Sequence, residues 1–133
     1  MSTNNRYVID SWAWIEYLDG SEIGKRVDKI LGSKSEIYTN GVTLAEVISR
    51  AKRTGRSVET SLQAILSLSK VVLPDEKLAT EAGLVHAEIK SRNTNFSLAD
   101  AFALQTAKSL NAKVLTGDPD FEGIKEAVIL KKE

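Results

Sequence analysis

Short, apolar, β-prone runs alternate with helical segments along all 133 residues, and this alternation restricts the possible folds more than any other feature. Strands are predicted at 7–9, 36–39, 71–73, 112–116 and 127–130. Helices are predicted at 11–18, 21–31, 43–54, 57–68, 75–92 and 97–110, with a short turn at 118–121. Such a pattern indicates βαβ crossovers and a mainly parallel sheet with helices on both faces. The sequence therefore predicts an α/β fold.

The chain is expected to form one continuous domain over residues 1–133. It has two prolines, no long Gly/Ser run and no internal repeat. Its length is close to that of a common single domain, about 100–150 residues. The composition, 42% apolar and 27% charged, is that of a globular protein. No boundary between domains is predicted.

Composition excludes several kinds of site. The chain has no cysteine and a single histidine, His86, so thiol catalysis, a structural zinc site of the usual kind and a two-histidine ribonuclease mechanism are excluded. His86 lies within an amphipathic predicted helix, where we expect a structural or solvent-facing role. The eighteen basic and eighteen acidic residues cancel, which argues against a globally basic surface but leaves room for a local basic patch.

The N-terminal segment is polar, and the longest apolar runs are only a few residues long. A secretory signal needs an apolar stretch, and a membrane span needs roughly 20 apolar residues. We therefore expect a cytoplasmic protein without membrane association.

Acidic residues follow the predicted strands or open the helices after them. Asp10 directly follows the first strand, and Asp118 follows the fourth, with Asp120 two residues further on. Glu46 and Asp100 lie in the first turns of two predicted helices. Because ligands of parallel α/β sheets bind outside the carboxyl ends of the strands, we expect these carboxylates to lie at one edge of the sheet.

Each acid also has a structural explanation when it is taken singly. Thr43-Leu44-Ala45-Glu46 and Ser97-Leu98-Ala99-Asp100 have the spacing of helix capping boxes. Asp118-Pro119 has the pattern of an N-cap followed by proline at the first helical position. Asp10 is placed to cap the first helix. Capping alone would therefore account for any one of these acids.

Taken together, the acids favour a metal site. Asp100 is surrounded by apolar residues, and no Lys or Arg lies between Arg92 and Lys108 to offset its charge. Converging carboxylates repel each other unless they share a cation, and an oxygen-only ligand set without His or Cys suits Mg²⁺ or Mn²⁺. The helix N-termini would favour the ionised carboxylates.

Four segments resemble, in order and spacing, the four acidic motifs of PIN domains. They are Val8-Ile9-Asp10-Ser11, Thr43-Leu44-Ala45-Glu46-Val47, Ser97-Leu98-Ala99-Asp100-Ala101 and Leu115-Thr116-Gly117-Asp118-Pro119-Asp120-Phe121. More narrowly, the chain resembles the VapC toxins of VapBC toxin–antitoxin pairs over essentially its whole length. The resemblance implies a three-layer α/β/α sandwich on a mainly parallel, roughly five-stranded sheet. It also implies Mg²⁺- or Mn²⁺-dependent endonuclease cleavage of single-stranded RNA.

By this resemblance, four acids would hold the metal and serve catalysis: Asp10, Glu46, Asp100 and Asp118. Asp120 matches a fifth acid that is less constantly needed, and Ser11 and Thr116 match hydroxyl residues that orient the acids. Gly117 is a mild departure, since family members often carry Asn there. The resemblance further implies a homodimer and a VapB-type antitoxin whose C-terminal segment blocks the acidic site.

Two surface features leave alternatives open. Four bases cluster in and after the helix that carries Glu46, and they are candidate RNA-phosphate contacts or simply a solvated helix face: Arg50, Lys52, Arg53 and Arg56. The run 12–18 is apolar on more than one face, which is consistent with core packing alone or with a partner surface.

Two rival functions also stay open. A catalytically silent PIN-like binding module would keep the fold and lack hydrolysis. A phosphoacceptor receiver domain would use Asp75, Thr116 and Lys131 as phosphoacceptor, hydroxyl and lysine. It normally has paired acids after the first strand, and it leaves Asp100 unexplained.

Overall fold

The computed structural model describes residues 5–131 and contains a five-stranded, fully parallel sheet in the order β3-β2-β1-β4-β5. The strands are β1 (Arg6–Ile9), β2 (Glu36–Asn40), β3 (Lys70–Val72), β4 (Lys113–Thr116) and β5 (Ala127–Ile129). All five predicted strands are confirmed, each to within a residue or two at its ends.

Helices connect the strands of the described chain as the sequence predicts. They are α1 (Ser11–Asp19), α2 (Glu22–Leu31), α3 (Gly41–Arg53), α4 (Val58–Leu68), α5 (Glu76–Lys90) and α6 (Leu98–Leu110), and a 3₁₀ turn spans Pro119–Phe121. Most helices begin at a side chain that accepts a hydrogen bond from the first turn. Ser21, Ser57, Asp75 and Ser97 each act in this way.

The start of α3 differs from the sequence prediction. The helix begins at Gly41, because the Asn40 side chain caps it and accepts a 2.7 Å hydrogen bond from the Val42 N–H. Thr43 is therefore buried within the first turn and is not the cap. The capping-box explanation of Glu46 is wrong, since Glu46 lies beyond the first turn of α3.

Both faces of the sheet are covered, which confirms the α/β/α sandwich. Successive residues of a strand point to opposite faces. Val8 and Ile9, both fully buried, accordingly belong to two separate cores. The first core includes Leu104 of α6, and the second includes Val47 of α3.

Helix α1 buries Ala13 and Trp14 of the apolar run 12–18, and the other residues of the run are half-buried. Trp14 is fully buried, and its indole N–H donates a 3.0 Å hydrogen bond to the Thr39 hydroxyl. Tyr17 meets the Trp14 ring edge-on at 5.8 Å between centroids. Core packing against the sheet and α2 thus accounts for much of this run.

The sheet order puts β1 at the centre, between β2 and β4. The chain runs from β1 outward to β2 and β3, and β4 and β5 add on the other side of β1. The point between β1 and β4 is the topological switch point, where ligands of such sheets bind. The Asp10 N–H donates to the Leu115 carbonyl at 3.3 Å across this point, so the ends of the two strands are held together.

Candidate metal centre

Asp10 lies at the end of β1 and is almost fully buried, with 5% of its surface exposed. Its carboxylate caps α1 by accepting a 2.9 Å hydrogen bond from the Ala13 N–H. Burial raises the pKa of Asp10 to about 7. Hydrogen bonds from Thr116 and Ala13 oppose this change in pKa, and the nearby carboxylates of Asp100 and Asp118 add to it.

Asp100 combines a structural role with a place in the acid cluster. Its Oδ2 accepts a 2.9 Å hydrogen bond from the Ser97 N–H, while the Ser97 hydroxyl accepts one from the Asp100 N–H at 3.0 Å. The predicted capping box at the start of α6 is therefore confirmed. Burial raises the pKa of Asp100 despite these bonds, and repulsion from Asp118 and Asp120 raises it further.

Asp118 and Asp120 lie on the 3₁₀ turn that follows β4. The Asp118 Oδ1 accepts a 2.9 Å hydrogen bond from the Asp120 N–H, so the predicted capping role of Asp118 before Pro119 is confirmed. Partial burial and the neighbouring Asp120 raise the pKa of Asp118. One carboxylate oxygen each from Asp100, Asp118 and Asp120 lie within 4.8 Å of one another, which is close enough to share one cation.

Glu46 is an exposed member at the rim of this cluster. Loss of hydration raises the pKa of its carboxyl, a hydrogen bond from Ser11 lowers it, and the Asp100 charge raises it. The structure thus places all five predicted acids near one another, and the three with the closest oxygens are Asp100, Asp118 and Asp120.

The two predicted hydroxyl residues touch the acids. Thr116 is fully buried, and its Oγ1 accepts a 3.0 Å hydrogen bond from the Asp118 N–H. The same hydroxyl lowers the pKa of the Asp10 carboxyl, and the Ser11 hydroxyl lowers the pKa of Glu46. Thr116 therefore lies beside both the acid that follows β1 and the acid that follows β4.

No basic side chain within residues 5–131 forms an ion pair with an acid of the cluster. The ion pairs of this part of the chain lie elsewhere: Arg6–Glu36, Lys25–Glu22, Arg56–Asp19, Lys77–Glu81 and Lys131–Glu122. Several partly desolvated carboxylates with raised pKa values and no paired base are a site for a cation. The ligands are all oxygens, so the residues fit a hard divalent ion such as Mg²⁺ or Mn²⁺.

The predicted basic cluster lies at the far end of α3 from the acids. Arg50, Lys52 and Arg53 are exposed in its last turns. Arg56 forms an ion pair with Asp19 and donates a 3.2 Å hydrogen bond to the Leu18 carbonyl. The guanidinium of Arg56 thus already joins the end of α1 to the segment after α3.

Two structural features near the site were not predicted. Asn40 is fully buried and donates a 2.7 Å hydrogen bond to the Thr106 hydroxyl of α6; its position directly before a helix was a usable N-cap signal. Gly117 lies directly beneath the ring of Trp12. No local sequence pattern predicts that contact, because Trp12 and Gly117 are far apart in sequence.

A model of the PIN domain family matches residues 7–127 of the chain. The chain belongs to the PIN domain family. PIN domains are nucleases, so the carboxylate cluster lies at the candidate hydrolytic site of this PIN domain. Membership excludes the receiver-domain alternative. In this fold Asp75 follows the edge strand β3 and caps α5 by accepting from the Leu78 N–H at 2.8 Å.

Solved structures with the same fold come from toxin–antitoxin systems. A toxin–antitoxin complex from Klebsiella pneumoniae is 22% identical with a TM-score of 0.73, covering 92% of this chain and 95% of that one. VapC20 of Mycobacterium tuberculosis, a sarcin–ricin loop cleaving toxin, is 16% identical with a TM-score of 0.72, covering 90% and 95%. VapBC2 of Rickettsia felis, bound to a promoter DNA fragment, is 14% identical with a TM-score of 0.73, covering 94% and 97%.

At these identities the similarity is one of fold. No curated protein matches the chain in sequence. The helices of residues 5–131 are all too short or too polar to cross a membrane.

Proposed function

We propose that this PIN domain is a metal-dependent endoribonuclease that cleaves single-stranded RNA and acts as the toxin of a toxin–antitoxin pair in the cytoplasm. One observation carries the proposal. Oxygens of Asp100, Asp118 and Asp120 lie within 4.8 Å of one another beside the buried Asp10, and no base of the described chain is paired with them. Carboxylates held this close repel one another, and a shared divalent cation offsets that repulsion.

The cation we propose is Mg²⁺ or Mn²⁺. Asp100, Asp118 and Asp120 would hold it, with Asp10 beside them and Glu46 at the margin. When bound, the ion would polarise the phosphodiester and lower the pKa of the attacking water. Water attack in line with the leaving oxygen leaves a 5′-phosphate and a 3′-hydroxyl.

The chain itself contributes position and charge. The Thr116 hydroxyl accepts a hydrogen bond from the Asp118 N–H and lowers the pKa of the Asp10 carboxyl, so we propose that it orients both acids. We propose that Ser11, whose hydroxyl lowers the pKa of Glu46, orients that carboxylate. His86 lies on α5, outside the acid cluster, so no histidine serves as general acid or base there.

RNA would be held by the exposed bases at the end of α3. We propose Arg50, Lys52 and Arg53 as phosphate contacts, with Arg56 beside them in a role shared with its pairing to Asp19. The surface lies away from the acids along α3, which suits a strand that spans several nucleotides.

The partner we propose is a VapB-type antitoxin that covers the acidic edge, and the active form we propose is a homodimer. The structural relatives from Klebsiella pneumoniae and Rickettsia felis are a toxin–antitoxin complex and a VapBC complex, which supports an antitoxin partner. Co-expression with the product of a short adjacent reading frame should give a complex that co-purifies and lacks nuclease activity. An adjacent frame whose product leaves cleavage unchanged would argue against the pairing.

Cleavage of an unstructured RNA by the full chain tests the proposed activity. We expect 5′-phosphorylated products with Mg²⁺ or Mn²⁺, none with EDTA, and slower cleavage of a structured RNA. Asp100→Asn should lower the rate at least about 100-fold, because a metal ligand is lost while the amide oxygen can still accept the hydrogen bond from the Ser97 N–H.

The matched control for this experiment is Asp75→Asn. Asp75 is an acid at a helix start, the N-cap of α5, but it lies outside the cluster. It should cleave at the rate of the unsubstituted chain. RNA binding without metal-dependent cleavage would instead favour the catalytically silent PIN-like module.

A further inference from the structure

The ring of Trp12 occupies the space that a side chain at position 117 would need. A Cβ built on Gly117 would lie 2.5 Å from Cζ2 of Trp12 and closer still to Cη2 and Cζ3. These distances are far inside van der Waals contact. The outer edge of the indole therefore rests on the Gly117 backbone.

Space, and not backbone conformation, is the reason for glycine at this position. Within residues 5–131 the glycines with left-handed backbone are Gly20, Gly55 and Gly123. Gly117 is not among them, so any L-residue could adopt its φ. The three atoms that would lie nearest to a Cβ at position 117 all belong to the Trp12 ring.

This contact joins the two chain segments that carry the acids. Trp12 lies in the first turn of α1, two residues after Asp10. Gly117 lies between Thr116, which ends β4, and Asp118, which begins the 3₁₀ turn. The indole is half-buried and packs on the core beneath it, which gives the ring a fixed support.

The segment after β4 is tied together by its own hydrogen bonds. The Asp118 N–H donates to Thr116 at 3.0 Å, and the Asp120 N–H donates to Asp118 at 2.9 Å. A displacement of Gly117 would therefore carry both carboxylates with it, relative to Asp10 and Asp100. Functional constellations tolerate about 0.5 Å, and Mg²⁺ is strict about geometry.

We propose that Trp12 and Gly117 form a matched positioning pair that sets the separation between the acid of β1 and the acids after β4. The indole is the spacer, and the missing side chain at 117 is what lets the acids close around one cation. This inference rests on the metal site of the proposed function and assigns neither residue a contact with the metal.

Isothermal titration calorimetry of the protein with Mn²⁺ tests this pair. Gly117→Ala should weaken Mn²⁺ binding about 10–100-fold, the range seen when residues that orient metal ligands are changed. In a Trp12→Ala background the same Gly117→Ala change should weaken Mn²⁺ binding less than about twofold, because the clash with the ring is gone. This second comparison holds even if Gly117→Ala alone does not fold.

Gly83→Ala is the matched control. Gly83 lies in α5 with no atom near its would-be Cβ, and its φ is not left-handed. Its Mn²⁺ affinity should equal that of the unsubstituted chain. Melting temperatures of the metal-free variants separate a purely structural role, which would lower stability and leave the affinity unchanged.

Each outcome has a distinct meaning. If the unsubstituted chain binds Mn²⁺ and Gly117→Ala binds it equally well, the positioning pair is wrong while the metal site stands. An equal cost of Gly117→Ala with and without the Trp12 ring would also overturn the pair. If the unsubstituted chain binds no Mn²⁺, the proposed function and the positioning pair both fail.

Discussion

Asp10 is the most deeply buried acid of the cluster, and its burial links the stability of the fold to pH. Its pKa is about 7 in the folded chain against 3.8 for a free aspartate. Between these values the folded state binds more protons than the unfolded state does. The free energy of unfolding therefore falls as pH rises through this range.

The first prediction concerns this residue in the metal-free chain. In EDTA the melting temperature of the unsubstituted protein should fall between about pH 5 and pH 8, relative to that of Asp10→Asn. Asparagine carries no charge at either pH and can still cap α1. Calorimetry of both proteins across this range measures the difference.

A difference in melting temperature that stays constant with pH would show that Asp10 is not desolvated as described. Asp75→Asn provides the control, since Asp75 is a capping acid outside the cluster.

The second prediction concerns competition between protons and metal at the same carboxylates. Burial raises the pKa values of Asp100 and Asp118 as well as that of Asp10. Saturating Mg²⁺ should therefore raise the melting temperature more at pH 8 than at pH 5, because protons must leave before the metal binds. An equal or larger increase at pH 5 would contradict the shared site.

At the scale of the elements, Asn40 joins the two helices that carry Glu46 and Asp100. Its Oδ1 caps α3, and its Nδ2 donates to Thr106 of α6, all within a fully buried environment. Breaking both bonds leaves the Val42 N–H without its acceptor and removes one of the two hydrogen bonds of the buried Thr106 hydroxyl, which costs more than the loss of a surface cap. Asn40 thus sets how α3 and α6 meet at the sheet edge.

The third prediction compares two N-caps. Asn40→Ala should lower the free energy of unfolding by about 2–3 kcal/mol, and Ser57→Ala, at the exposed cap of α4, by about 1 kcal/mol. Urea denaturation of both variants measures the difference. Equal costs would show that the Asn40–Thr106 hydrogen bond contributes nothing beyond capping.

Element boundaries were predictable where a local signal determines them. Ser57, Asp75 and Ser97 begin helices as their spacing from apolar residues predicts. The predicted helix start at Thr43 was wrong because a threonine followed by glutamate three residues later matches the capping pattern wherever it occurs in a chain. The Asn40 side chain caps α3 instead, which is a local signal, whereas its hydrogen bond to Thr106 of α6 is a tertiary contact that the sequence does not show.

The acids themselves were predictable for a different reason. Their order along the chain follows the strand ends, and parallel strands bring those ends together whatever the details of packing. What the sequence could not show is which acids are closest. Asp120 joins Asp100 and Asp118 because the 3₁₀ turn folds it back, whereas Glu46 is carried outward along α3.

At the scale of the whole molecule, the formal charge of zero hides an uneven distribution. Five acids gather at one edge of the sheet, while three exposed bases end α3. The net charge of zero therefore does not indicate which kind of partner the protein binds. The proposed acidic metal pocket and a separate basic surface are compatible with the proposed RNA substrate, as a uniformly neutral surface would not be.

The fourth prediction concerns that basic surface. Replacing Arg50, Lys52 and Arg53 by alanine should weaken binding of single-stranded RNA and lower the slope of log affinity against log salt by about 2. Arg56→Ala should instead lower stability, because its pair with Asp19 is lost. Fluorescence titrations at several salt concentrations measure the slope.

A triple alanine variant of Lys34, Lys77 and Lys90 provides the control for the number of charges removed. An equal loss of slope in both triple variants would place the RNA elsewhere.

The central claim is that the acids after β1 and β4 and at the start of α6 share one divalent cation. Anomalous diffraction from crystals soaked in Mn²⁺ locates that ion directly. We expect a peak within about 2.3 Å of carboxylate oxygens from Asp100 and Asp118. A peak at another position, or none at Mn²⁺ concentrations that support RNA cleavage, would contradict the account.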